Sequence, residues 1–279
     1  MTEYLKATQL CGKCGKEYEA NHVRIFSSDI DFSGGCCLDC RAKQRKELDE
    51  HDQAEASLAL ASKRRKWRES CGIPKRFMGQ DFSTYNLTWT KERNNFNDLL
   101  SLCRKYADEI PLGPKGFRSL AICSPGTQGV GKTHLASAIG HKLLDRWQGV
   151  PYTCPVAMVS EAELYNKIQN TYSYSQDERS KLPSEQDIIN RYINIPLLIL
   201  DDLGTETRNK KDFSNRILFA LVNGRYDNEK PIVVTTNLST GELNSYLSDE
   251  SGRVRIMDRL IEMAGGEFFQ VHGPSYRRR

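Results

Sequence analysis

The sequence predicts an α/β fold, a parallel β-sheet covered by helices on both faces, three layers in all. Three observations carry that prediction. From about residue 72 onward, short apolar runs alternate with stretches of helical periodicity. One such run leads directly into GTQGVGKT (126–133), and a helix-forming stretch follows at once. Another, PLLIL (196–200), ends in the acidic pair Asp201 and Asp202.

Residues 1–40 are punctuated by Cys and Gly and poor in large apolar side chains. Cys11-x-x-Cys14 and Cys37-x-x-Cys40, with 22 residues between the pairs, have the spacing of a four-thiolate Zn²⁺ site. So short a segment needs such a staple to fold. Cys36 is an alternative to Cys37, and a redox pair is the competing reading. The other four of the nine cysteines (Cys71, Cys103, Cys123, Cys154) are scattered and read as small buried hydrophobes. Residues 41–71 read as a charged helical linker, since 41–70 lacks Gly and Pro but shows no clean apolar stripe.

Residues 72–279 make up the packed domain. Its first helix is expected over 92–110, with Phe96, Leu99, Leu100, Cys103, Tyr106, Ala107 and Ile110 on one face. Strands are expected at 118–123, 156–160, 196–200, 231–236 and 267–271. Between them lie helical stretches at 132–147, 160–171, 185–193, 212–227 and, with a break, 240–264. Ser160 and Glu163 have the spacing of a capping box.

The formal charge is only +4, but Lys63, Arg64, Arg65, Lys66 and Arg68 bracket Trp67, and the chain ends in Arg277, Arg278 and Arg279. Such clusters meet nucleic-acid phosphates or an acidic partner, or are simply the solvated face of a helix. No apolar run approaches the roughly 18–20 residues of a membrane helix. The first residues lack a signal-peptide pattern, so a cytoplasmic protein without membrane contact is expected.

The glycine-rich stretch carries the chemistry. Between a strand and a helix N-terminus, Gly126, Thr127, Gln128, Gly129, Val130 and Gly131 turn backbone N–H groups inward around phosphate oxygens, and the helix dipole adds positive potential. Lys132 then reaches the β- and γ-phosphates, Thr133 holds Mg²⁺, and His134 closes the motif. Such a loop requires an acidic partner on another buried strand. Asp201 meets that need as a second Mg²⁺ group, with Asp202 orienting or activating the attacking water. Asn237, at the end of PIVVTTN, either contacts the γ-phosphate from the side or merely terminates the strand.

Together GTQGVGKTHLASAI, LLILDDLGTE and IVVTTNL resemble the AAA+ ATPases, and more narrowly the DnaC/DnaI type of replicative helicase loader within the IstB-like superfamily. CGIPKRFMGQDF, NGRY (223–226), RIMDRL (255–260) and GPSYR extend the resemblance over about 72–279. The resemblance implies ATP as the nucleotide. It also implies an arginine finger acting on a neighbouring subunit's nucleotide, at Arg259 or at Arg255 one turn earlier. Arg277 matches a second sensor arginine. Only 42 residues follow Asn237, which leaves no room for the separate C-terminal helical lid of most AAA+ proteins. That shortening is shared by loaders, and it turns adenine binding towards Ile73, Phe77 and Phe82. Asp202 stands where many AAA+ enzymes carry Glu, so slow hydrolysis suited to a switch is expected.

The zinc-bearing head is similar to that of DnaI-type loaders, which implies a partner-binding arm over 1–70. The implied partners are a hexameric replicative DNA helicase, single-stranded DNA and further copies of the chain joined through their ATP sites. An IstB-type transposition helper is the alternative within the fold, and the zinc head speaks against it. A small-molecule kinase would need a substrate pocket and an arginine-rich lid. A zinc-ribbon transcription regulator would bind duplex DNA in preference to single strands.

Overall fold

The structure, a computed structural model, describes residues 2–25, 28–31, 34–88, 90–91, 93–110, 119–148, 153–205, 211–249, 252, 254–266 and 268–278. The first residue of the elements expected at 92–110, 118–123 and 267–271 lies outside them, as does Arg279. The described residues divide into two compact units, 1–63 and 64–279.

The first unit holds a three-stranded antiparallel sheet that residue patterning did not reveal. Strands β1 (Thr2–Leu10), β2 (Glu17–Ile25) and β3 (Ser28–Asp31) pair in that order. The β1–β2 connection is the first cysteine knuckle, closed by Cys11 N–H to Lys16 O (2.9 Å) and Gly15 N–H to Cys11 O (2.8 Å). Gly12 N–H donates to Gly35 O at 2.9 Å, which brings the second knuckle alongside. Helix α1 (Leu38–Ser70) starts on that knuckle, and of its side chains only Trp67 is buried. Among the described residues no helix is long and apolar enough to cross a membrane.

In the second unit the alternation read from the sequence is realised element by element. Helix α2 (Arg93–Glu109) precedes β4 (Leu120–Cys123), α3 (Lys132–Arg146), β5 (Val156–Ser160) and α4 (Glu161–Asn170). The short α5 (Gln176–Arg179), then α6 (Glu185–Asn194), β6 (Leu197–Leu203) and α7 (Lys211–Asp227) follow. Strand β7 (Ile232–Thr236), α8 (Thr240–Leu247), α9 (Arg255–Met263) and β8 (Phe269–Gln270) complete it. The five strands run parallel in the order β5-β6-β7-β4-β8.

Leu197 through Leu200 are all fully buried, because both faces of β6 are covered. Leu198 and Leu200 join α4, α6, α7, α8 and α9 in one apolar cluster. Helix α3 packs across the sheet and against α2. Helices α8 and α9 belong to the cluster itself, so no separate helical lid stands after β7 among the described residues.

Three local features explain sequence motifs. Cys71 O accepts from Met158 N–H at 2.7 Å on edge strand β5, and a Cβ on Gly72 would collide with the Met158 carbonyl. Arg225 of NGRY is fully buried, and its guanidinium donates to the carbonyls of Tyr192 (2.6 Å), Ile193 (3.1 Å), Ile195 (2.9 Å), Pro196 (3.1 Å) and Pro231 (2.6 Å). Those are the open end of α6 and the approaches to β6 and β7, where helix geometry leaves carbonyls without partners. Ser160 caps α4 by accepting from Glu163 N–H at 3.2 Å, but the expected capping box is only half made. The Glu163 carboxylate instead pairs with Lys167 one turn on, at 2.7 Å.

The basic run around Trp67 splits likewise. Arg64 donates to Trp147 O at 3.2 Å, and Arg68 bonds the His141 ring and pairs with Asp145. Those two cations hold the end of α1 to α3.

Candidate functional site

The phosphate loop leaves β4, the acidic pair leaves β6 and Asn237 leaves β7. Since β7 lies between β4 and β6, all three emerge side by side at the carboxyl end of the sheet, where open parallel sheets bind ligands. The loop, Asp202 and Asn237 border a cavity of about 360 Å³, with Asp201 behind its wall. Gln128, Gly129, Val130, Gly131, Lys132, Thr133 and His134 line it, with Asp202, Asn237 and Arg277. Gly126 and Thr127 form the turn entering the loop, where Thr127 N–H donates to Ser124 O at 3.2 Å.

Gly131 precedes α3 with φ +94°, a left-handed conformation natural to glycine, and a Cβ there would collide with the Tyr85 ring. The Tyr85 hydroxyl donates to Val130 O at 2.8 Å, and Tyr276 N–H donates to Gly129 O at 3.0 Å. The loop is thereby held from both flanks, by the 77–85 segment and by GPSYR.

Lys132 is 5 % exposed, and its ammonium donates to Asn237 Oδ1 at 2.6 Å and to the Ser124 hydroxyl. Burial pulls its pKa down, opposed by the charges of Asp202 and Asp201. Asp201 Oδ1 accepts from Thr235 Oγ1 at 2.6 Å and from Thr133 Oγ1 at 3.1 Å. Burial raises its pKa to about 6, the Asp202 charge adds to the rise, and both hydroxyl bonds and Lys132 oppose it. A β-bulge between Leu200 and Leu203 interrupts the β6–β7 ladder at the acidic pair, and Asp202 takes φ +53°. Bulges of this kind re-aim side chains next to functional sites.

His134 faces the 77–85 segment, within hydrogen-bond distance of Asp81 O (2.8 Å) and edge-on to Tyr85. Of the three residues expected near adenine, Phe77 lines the cavity, Ile73 is buried against Gly140, and Phe82 is not among the lining residues. Tyr85, Arg76 and Thr235 were missed. The two threonines ending an otherwise apolar strand before Asn237 were the available signal for Thr235.

Arg255 and Arg259 do not border this cavity. Both lie on α9 over the Phe219 ring, at 4.9 and 5.0 Å, and Arg259 also lies over Tyr226 at 5.5 Å. Arg255 pairs with Asp249 at 3.4 Å, and the Tyr226 hydroxyl donates to Glu262 at 2.9 Å.

In the first unit the sulfurs of Cys11, Cys14, Cys37 and Cys40 lie within 4.8 Å of one another, and Cys36 is not part of the group. Tetrahedral Zn–S bonds of about 2.3 Å give sulfur–sulfur edges of about 3.8 Å; Cys14 and Cys37 stand 3.7 Å apart. Backbone N–H donors, that of Cys37 foremost, draw the Cys11 thiol down to about 5, whereas bonding to Cys14 and Cys37 pushes Cys40 up to about 12. The cluster is compatible with a zinc module.

Residues 119–279, more than half of the chain, match the family of IstB-like ATP binding proteins. A Sinorhizobium fredii protein with the provisional description of insertion sequence ATP-binding protein is 32% identical over 154 residues, 55% of this chain and 45% of its own. The replicative helicase loader DnaC of Escherichia coli K12 is 28% identical over 182 residues, 65% of this chain and 64% of its own. The chain thus spans less than two thirds of either relative. The crystal structure of the DnaC helicase loader superposes with a TM-score of 0.54 at 22% identity, over 71% of this chain and 99% of that one, a likeness of fold. The chain belongs to the family of IstB-like ATP binding proteins.

Proposed function

We propose that the chain is an ATP-controlled loader of a replicative DNA helicase. The observation that carries this reading is the pairing of a DnaC-like nucleotide domain with a separate four-cysteine head. In it, residues 1–40 are a zinc module, 41–71 continue the partner-binding arm, and 72–279 are the ATPase domain. The arm contacts a hexameric helicase. Single-stranded DNA is the second partner, and hydrolysis releases the assembly.

At the nucleotide site, backbone N–H groups of 126–131 receive the phosphates, and the Lys132 ammonium leaves Asn237 for phosphate oxygens. Thr133 and Asp201, hydrogen-bonded to each other at 3.1 Å, would hold Mg²⁺, which would supply charge neutralisation to the phosphates. Asp202 orients the attacking water, and Asn237 senses the γ-phosphate. Arg277 faces the same cavity. Arg259 and Arg255 lie away from their own chain's cavity, which supports action on the site of a neighbouring copy.

The Asp201 pKa fixes a pH dependence. With a folded pKa of about 6 against an ordinary 3.8, the metal-free folded chain keeps a proton that the unfolded chain loses. That stability contribution is complete below the ordinary value and is lost as pH rises through about 6. Mg²⁺ needs the carboxylate deprotonated. Mg²⁺-dependent nucleotide affinity is therefore expected to climb between about pH 5 and about pH 7, by up to about tenfold per unit. Titration of a fluorescent ATP analogue reads this, and Asp201→Asn should flatten the profile. An unchanged slope in that variant would move the titration to another group.

Size-exclusion co-elution with the replicative helicase of the source organism, with ATP and Mg²⁺, tests the loader reading. A complex is expected with the intact chain and is expected to disappear with Cys14→Ser plus Cys37→Ser. No complex from an ATPase-active, DNA-binding chain would favour the transposition helper, for which the insertion-sequence relative speaks.

A further inference from the structure

Glu161 opens α4, yet it is fully buried and no step above uses it. Its Oε2 accepts from Gly204 N–H at 2.8 Å, and its Oε1 accepts from the hydroxyls of Tyr165 (2.7 Å) and Tyr246 (2.8 Å). A buried acidic side chain is costly unless its hydrogen bonds give something back. Here one of them reaches the turn that carries Asp202, and the two tyrosines hold the carboxylate in place for it.

That turn is unusual in its backbone. Asp202 has φ +53° and Gly204 φ +91°, so two left-handed residues lie within three positions. A non-glycine residue in that region is strained and persists only where its surroundings over-determine it. The surroundings are visible. Thr235 Oγ1 accepts from Asp202 N–H at 3.0 Å, Thr236 Oγ1 donates to Leu203 O at 2.6 Å, and Glu161 takes the next N–H, that of Gly204. The two threonines grip the turn from β7, and Glu161 grips it from the opposite neighbour, at the end of β5.

We infer that Glu161 is a positioning residue for Asp202. It fixes the left-handed turn so that the Asp202 carboxylate faces the cavity, and through Tyr246 it ties the turn to α8, the helix that follows Asn237. The inference rests on Asp202 as the group that orients water.

The test compares Glu161→Ala, Glu161→Gln and Tyr246→Phe in the full chain, with ATP turnover, binding of a fluorescent ATP analogue and amide exchange at 202–205. Misplacing the turn by about an ångström is expected to lower kcat on the order of 10- to 100-fold in the alanine variant, with nucleotide Kd within about twofold. Exchange at Gly204 should rise there. Glutamine keeps an oxygen facing Gly204 N–H and its amide can donate to the tyrosine oxygens, so its kcat and exchange should stay near wild type. Tyr246→Phe should lower kcat by less than the alanine change.

Wild-type kcat in Glu161→Ala, or kcat and affinity falling together, would overturn the inference. Should the alanine variant fail to fold, Glu161→Asp replaces it, since its shorter arm withdraws from Gly204. If the wild-type chain hydrolyses no ATP, the catalytic reading of Asp202 fails separately. Exchange then decides alone, and an unchanged Gly204 rate in the variants rejects the positioning.

Discussion

Arg225→Leu is expected to destabilise the 64–279 unit by about 3–5 kcal/mol, because several buried carbonyls lose their charged donor at once. The guanidinium makes five bonds to carbonyls at 2.6–3.1 Å. Leucine would leave those acceptors buried without donors, at about 1–3 kcal/mol each where water cannot reach them, a loss offset in part because the desolvation cost of the buried cation disappears with it. Against a total stability of about 5–15 kcal/mol for ordinary domains, such a loss removes a third or more of the margin in most of that range and leaves much of the chain unfolded only at its low end. Chemical denaturation monitored by circular dichroism measures it. Arg225→Lys should fall between, since one ammonium has three donors for five acceptors. A leucine variant within about 1 kcal/mol of wild type would show that the carbonyls find water instead.

Lys132→Ala is expected to reduce ATP hydrolysis by about 10²–10³-fold, the range seen when one charge-stabilising donor is removed from a transition state. The fold should not suffer. Without nucleotide, the ammonium is a buried cation resting on Asn237 and Ser124, and burial already disfavours its charge. Alanine relieves that cost, so the unliganded variant should be as stable as wild type or slightly more so. The contrast appears on adding nucleotide. At a hundred times its Kd, ligand stabilises the wild-type chain by about 2.7 kcal/mol, and the variant should gain little at that concentration. Thermal melts with and without Mg·ATP separate the two effects. Equal ligand-induced shifts would remove Lys132 from phosphate binding.

The parts legible in the sequence are those in which local pattern and tertiary role coincide. Leu197–Leu200 read as a doubly buried strand and is one. GTQGVGKT states its backbone requirement in glycines, and the structure meets it at Gly129 and Gly131. Spacing announced a four-cysteine cluster with Cys37 or Cys36 as its third member, and the structure groups Cys37 with Cys11, Cys14 and Cys40. Illegible were roles created by distant partners. Nothing near Arg225 shows that carbonyls about thirty residues earlier will close around it. Glu161 reads as an ordinary first-turn acid until Gly204 and Tyr246 arrive from other elements. Strands β1–β3 escaped notice because TEYLKATQL and EYEANHVRI lack the apolar runs that marked the core strands. Arg255 and Arg259 read as finger candidates by resemblance, while their shared seat on Phe219 belongs to tertiary structure.

The strand order has a consequence for synthesis on the ribosome. Strand β4 is the earliest of the five in sequence, yet its neighbours in the sheet are the last two, β7 and β8. Lys132 and its partner Asn237 are 105 residues apart. At translation rates of about 5–20 residues per second, the phosphate loop emerges on the order of 5–20 s before the strand that completes its site. Throughout that interval a nascent chain has no assembled pocket, so nucleotide cannot act as an early folding ligand. The site is built last, and a chain stalled before β7 is expected to be unable to bind what the finished protein binds.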